Sequence, residues 1–324
     1  MKKLINLLLF AAFFIVGCSS PTPQIHKWDN TKYENFESSI GIDVFNENSY
    51  NGTDNDSYKA NNTLYISDLL NPITIMFNNN GKNRNFIMNI YYDYQPISFK
   101  VTKDGSYEKN YTFSLDDKYE IELPLYLTSD LEKSGAHKLM ITFSIAPELH
   151  AKNFNKSIDW YGATIIQDII FDLDNDDFIN KTNFVQSDAT SELHYSYTLN
   201  QDYDYSIMDT GIMPLTPASI KVKPNESFSL MYNVSSPSKK RSKVLLLATL
   251  GFNHVPINDS PYLILEVPEK GTVIGKLNFT APEKPGLYEI ISYSVSNPFE
   301  KYIGSSHIEY LIESAPRFTL EVQE

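Results

Sequence analysis

Gly135-Ala-His-Lys-Leu-Met-Ile-Thr-Phe-Ser-Ile-Ala-Pro147 is the stretch on which the fold turns, because it recurs as Gly286-Leu-Tyr-Glu-Ile-Ile-Ser-Tyr-Ser-Val-Ser-Asn-Pro298. Each begins at a glycine, runs through β-branched and aromatic residues and stops at a proline, as a strand between turns does. Lys138-Leu-Met-Ile-Thr-Phe143 alternates as a half-buried strand should, and so does Glu120-Ile-Glu-Leu123.

Outward from this pair, two series of short runs share the pattern. The first is Ile40–Phe45, Ile73–Phe77, Phe86–Tyr92, Tyr119–Tyr126, His137–Ile145 and Ala163–Phe171. The second is Ser227–Val234, Lys243–Leu250, Tyr262–Val267, Val273–Phe279, Tyr288–Val295 and Phe318–Val322. Clusters of Asn, Gly, Asp and Ser separate the runs, and helical periodicity is hard to find. Thr74-Ile-Met-Phe77 matches Ser229-Leu-Met-Tyr232, Gln95-Pro-Ile97 matches Val255-Pro-Ile257, and Trp160-Tyr-Gly162 matches Tyr302-Ile-Gly304. An offset drifting between about 140 and 160 residues is what loops of unequal length produce in two related tandem domains. The expected fold class is all-β, with copies at residues 36–178 and 183–324. Each copy resembles an immunoglobulin-like β-sandwich, without the cysteine pair and core tryptophan of antibody domains.

The first residues have a different character. Lys2 and Lys3 precede an apolar run, Leu4 to Val16, too short for the roughly 20 residues that span a bilayer. The run ends Ile15-Val16-Gly17-Cys18 and turns polar at once. This resembles the lipobox of bacterial lipoprotein precursors, which implies a signal peptide over residues 1–17 and a lipid on Cys18. That cysteine is the single one in 324 residues, so structural disulfides are not in use. Residues 18–35, with Pro21 and Pro23, read as a tether lifting the body off the membrane. The resemblance implies an extracytoplasmic protein anchored to the bacterial cell membrane, an outer membrane being the alternative.

Composition narrows the partners. With Lys2 and Lys3 removed, 25 basic residues face 40 acidic ones, a net charge of about −15 that argues against nucleic-acid binding. The 42% hydrophobic content, with 22 Tyr and 19 Phe, suffices for substantial cores.

Candidate sites are few. Asp172, Asp174, Asp176 and Asp177 offer hard oxygens suited to Ca²⁺, the one cofactor suggested, or else form a solvated acidic loop. The run departs from an EF-hand, with Asp177 where glycine is needed and Asn183 in place of the bidentate glutamate. Tyr195, Tyr197, Tyr203 and Tyr205 alternate with Asp202 and Asp204, and Tyr91, Tyr92 and Tyr94 crowd one strand. Exposed tyrosines suit glycan or protein recognition, while period-two tyrosines also line sandwich faces. Lys239-Lys-Arg-Ser-Lys243 is a basic hairpin tip. His26, His137, His150, His194, His254 and His307 have no zinc-ligand spacing. No hydrolase elbow, zinc-protease or phosphate-loop motif occurs, and Ser305-Ser306-His307 is a coincidence of residue types. The leading expectation is a non-catalytic binding or scaffold lipoprotein whose partner is an envelope protein or cell-wall glycan. The rivals are a solute-binding lipoprotein of a transporter and a glycan-acting enzyme on a β scaffold.

Overall fold

The structure is a computed structural model that describes residues 21–27, 39–46, 63–66, 71–153, 162–171, 189–191, 198–200, 219–235, 242–269, 272–300, 312–315 and 317–324. Apart from a 3-10 turn at Ala151–Asn153, every regular element described is a strand.

Four sheets form. The first runs β1 (Gln24–Lys27), β9 (Tyr119–Leu127), β4 (Ile73–Asn80), β2 (Ser39–Phe45), with β7 (Phe99–Lys100) paired to β9. The second runs β3 (Thr63–Tyr65), β11 (Ala163–Ile170), β10 (Ala136–Ile145), β5 (Arg84–Tyr92), β6 (Gln95–Pro96), with β8 (Asn110–Leu115) also on β5. The third runs β14 (Ser219–Val222), β22 (Phe318–Val322), β20 (Gly286–Ser296), β16 (Ser242–Leu250), β17 (Asn253–Val255), joined by β18 (Leu263–Val267) on β16 and β21 (Ile312–Ser314) on β20. The fourth runs β12 (Ala189–Ser191), β19 (Thr272–Thr280), β15 (Ser227–Ser235), β13 (Thr198–Asn200).

The two halves share one topology. Strand for strand, β1-β9-β4-β2 corresponds to β12-β19-β15-β13, and β3-β11-β10-β5-β6 to β14-β22-β20-β16-β17. In both, a short strand pairs in parallel with the last one, β3 with β11 and β14 with β22. The protein is two tandem immunoglobulin-like β-sandwiches: β2, β4 and β9 take the A, B and E places, and β5, β10 and β11 take C, F and G. The D place departs from that pattern, being filled in both halves by a strand from the preceding chain, β1 or β12. Gln24–Lys27 thus pairs with β9, although composition places it in the tether. All four of its side chains are exposed, so backbone hydrogen bonds hold it and no hydrophobic pattern announces it.

Alternation along the inner strands separates two cores. From β10, Leu139, Ile141, Phe143 and Ile145 enter the first sandwich core with Phe77, Phe86, Met88 and Ile121. From β16, Val244, Leu246 and Ala248 enter the second with Leu230, Leu277 and Phe318. The opposite faces do not meet water. Ile87, Tyr91 and Met140 of the first half pack on Leu245, Leu247, Ile291, Tyr293 and Val295 of the second as a third core. The stack is therefore outer sheet, inner sheet, inner sheet, outer sheet. Strand β10 is buried along all ten residues, so its alternation marks two buried faces of different chemistry, where the pattern had suggested one wet face.

Candidate functional site

The polar and titratable groups worth attention collect along the seam between the sandwiches, and they do so by the same local device on each side. Strand β5 turns into β6 through Asp93 (φ 48) and Tyr94 (φ 63); β16 turns into β17 through Gly251 (φ 58) and Phe252 (φ 63). Two positive φ values joining two-residue hairpins define the type I′ geometry that matches strand twist. An aromatic residue in this region costs of order 1 kcal/mol or more. Burial opposes that cost: Tyr94 and Phe252 both project into the seam core. The Tyr94 hydroxyl donates to the Pro298 carbonyl of the other half at 2.5 Å, and its ring meets Phe299 edge-on with centroids 5.4 Å apart.

Two buried charge clusters lock the halves. In the first, Lys138 Nζ lies 2.5 Å from Asp168 Oδ1 and also donates to the Glu300 carbonyl across the seam. In the second, Arg317 Nε donates to Glu289 Oε2 at 2.8 Å, and the guanidinium reaches the carbonyls of Ile145 (2.7 Å), Ala146 (3.2 Å) and Leu149 in the first half. The Arg317 guanidinium also lies 4.9 Å from the centroid of the Phe252 ring. Glu289 further accepts from Thr319 Oγ1 at 2.7 Å and from the Ala151 amide at 3.4 Å, with His150 Nδ1 at 3.0 Å.

These clusters are counterparts. Lys138 and Glu289 stand third after the matched glycines Gly135 and Gly286; Leu149 and Glu300 stand third after the matched positive-φ residues Ala146 and Asn297. Each half sends one cation to the same carbonyl of the other. In the first half, the cation stands on β10 with its anion on β11. In the second, the anion stands on β20 and the cation just ahead of β22.

Burial sets the protonation chemistry. It lowers the Lys138 pKa, with Asp168 acting in the opposite sense, and lowers that of Arg317 against the pull of Glu289. It raises Tyr91, Tyr94 and Tyr293, whose phenols are fully enclosed, and Tyr92 as well. Beside Lys138 a cleft of about 160 Å³ opens between the halves, bordered by Tyr94, Asp168, Val295, Asn297 and Ile312. Next to it, His137 is wholly enclosed, with Nδ1 2.8 Å from Asp93 Oδ2 and its ring stacked on Tyr92 at 4.8 Å.

Of the residues singled out from sequence, Tyr91, Tyr92 and Tyr94 are not an exposed recognition surface. They are 1%, 5% and 0% exposed, because the face they occupy is covered by the second sandwich or by the first core. His26, His137, His150 and His254 are dispersed, and among the described residues no group of three or more His, Cys, Asp or Glu is placed to hold a metal. Cys18, Asp172, Asp174, Asp176, Asp177, Tyr195, Tyr197, Tyr203, Tyr205, His194, His307 and Lys239–Arg241 lie outside the described residues. The seam residues Lys138, Asp168, Glu289 and Arg317 were not singled out. Their one sequence signal is a charge inside an otherwise apolar strand pattern, as in His137-Lys-Leu-Met-Ile141 and Ala315-Pro-Arg-Phe318.

No family model matches the chain, and no curated protein matches it. Among solved structures, the C-terminal domain of the Streptococcus agalactiae antigen I/II polypeptide BspA aligns over 88% of this chain and 100% of its own, at 6% identity and TM-score 0.23. The corresponding domain of Streptococcus pyogenes AspA covers 89% and 100%, at 7% identity and TM-score 0.21. BcpA, the major pilin subunit of Bacillus cereus, covers 88% and 67%, at 9% identity and TM-score 0.23. Likeness at this level carries no argument about activity, and the fold assignment rests on the strand order itself.

Proposed function

We propose that this chain is a lipid-anchored extracytoplasmic protein whose paired sandwiches act as a non-catalytic binding or scaffold module for an envelope protein or cell-wall glycan. The observation that supports the reading best is the seam. The central strands β10 and β16 are buried on both faces, and the charged side chains gathered there are ion-paired within each half while Lys138 and Arg317 donate to carbonyls of the other. Such groups hold a shape and present no reactive surface. The cleft beside Lys138, at about 160 Å³, is below the roughly 300–1,000 Å³ of ordinary ligand sites.

The test is covalent crosslinking of the lipidated protein in its native envelope, with mass spectrometry of the products. One dominant protein or glycan adduct supports the binding module. Turnover of an envelope substrate that a single carboxylate substitution abolishes would replace this reading with an enzyme.

A further inference from the structure

We propose that the end of the first sandwich bearing Lys100, Lys103 and Tyr107 rests on the headgroup layer of the membrane that holds the lipid on Cys18. The inference depends on the lipid-anchor reading above. It follows from where β1 is pinned and which way it runs.

β1 is antiparallel to β9, with Lys27 opposite Tyr119 and Gln24 opposite Glu122. Moving from Gln24 toward Cys18 therefore means moving along β9 toward its last residues. There β7 pairs with β9, Lys100 opposite Tyr126 and Phe99 opposite Leu127. The four residues from Glu122 to Tyr126 advance roughly 13 Å along the strand. The six residues from Cys18 to Gln24 reach at most about 20 Å when fully extended. A lipid on Cys18 can thus lie level with Lys100 but can stand off only a few ångströms beyond it. With β1 part of the sheet, residues 24–35 no longer serve as a spacer, and the body cannot be lifted clear of the bilayer.

The side chains at this end suit that position. Tyr107 is 48% exposed, and its hydroxyl is 3.4 Å from the Leu127 carbonyl. Lys100 Nζ sits 5.1 Å from the centroid of the Tyr107 ring and 6.0 Å from that of Tyr126, and donates to the Lys103 carbonyl. A half-exposed tyrosine beside lysines is the composition of membrane–water interfaces, where the ring sits at headgroup depth and the ammonium stays hydrated. The loops around Tyr107 carry both signs, Lys100, Lys103, Lys109 and Lys133 beside Asp104, Glu108, Asp130 and Glu132.

The test uses the full lipidated chain in vesicles containing lipids with nitroxide-labelled headgroups. Lipidation consumes the native thiol, so Ser106→Cys and Lys82→Cys each create the one site for a fluorophore. Ser106 is exposed in the β7–β8 loop, while Lys82 is exposed in the β4–β5 turn at the other end of the same sandwich. The expected result is headgroup quenching several-fold stronger at position 106 than at position 82. If the unsubstituted protein takes up no fluorophore and stays with vesicles, yet both positions are quenched alike, the orientation is wrong and the anchor reading stands. If the unsubstituted protein reacts with the fluorophore through Cys18 and separates from vesicles, both are overturned.

Discussion

Arg317→Met tests whether the seam is held by its charges. Glu289, whose side chain is 0% exposed, would lose the donor at 2.8 Å and keep Thr319, His150 and the Ala151 amide. The three carbonyls of the first half, at Ile145, Ala146 and Leu149, would lose a shared charged donor as well. Removing one member of a buried pair costs about 3–5 kcal/mol, because the remaining charge stays desolvated and unpaired. Methionine retains most of the packing volume, so a cavity adds little. The assay is urea unfolding followed by circular dichroism near 218 nm. With a slope of roughly 3 kcal/mol per M for a chain of this size, the midpoint should fall by about 1–1.7 M. Adding Glu289→Gln removes the stranded charge, and the double variant should recover part of the loss. A single-variant cost under about 1 kcal/mol, or a double variant no more stable than the single one, would refute the reasoning.

Other consequences are cheaper to check. Leu247→Ala empties a fully buried seam position and should cost about 2–5 kcal/mol in the same unfolding assay, without touching either sandwich core. Tyr94→Phe keeps the ring at φ 63 but removes the hydroxyl that donates to the Pro298 carbonyl, for a loss of about 1 kcal/mol. Tyr91, Tyr92, Tyr94 and Tyr293 have folded pKa values raised above the unfolded value of about 10. Their contribution is complete below pH 10 and is lost as pH climbs toward the folded values, so stability should fall above pH 10. Phenolate absorbance at 295 nm should then show these four ionising together with unfolding.

The long strands were legible because apolar side chains enter a core at period two, and Ile73–Phe77, Tyr119–Tyr126 and Tyr288–Val295 all lie within strands. Short strands such as β1 and β3 were not, since backbone pairing needs no side-chain pattern. Type I′ turns are signalled by Asn-Gly or Asp-Gly; Asp93-Tyr94 reads as strand and Gly251-Phe252 as half a turn, their geometry being imposed by the seam. The seam itself was hidden by its composition. Thr142 and Ser144 sit among apolar neighbours of β10, so the strand looks wet on one side, although both residues are under 2% exposed. Of the two readings open for Tyr91, Tyr92 and Tyr94, packing is the one observed: an amphipathic ring fits a wet face or a dry interface equally well, and which face is covered depends on the other half of the chain.

That dependence has a physical consequence for how the halves behave. The contacts come in reciprocal pairs: each β5–β6-type turn offers an aromatic to the seam, and each inner sheet sends a cation to the same loop carbonyl of the other. An interface in which equivalent surfaces meet is isologous, the type that closes a twofold dimer. Here both partners lie in one chain, so association carries no dependence on concentration, and the linker only raises the effective concentration of one half near the other. The two halves do not use the same order of signs: Lys138 with Asp168 in the first and Glu289 with Arg317 in the second. Each ion pair stays within its own half, and only the cation reaches across, to the carbonyl of Glu300 or of Leu149. Truncating either cation therefore removes a link across the seam and a charge partner within one half at the same time.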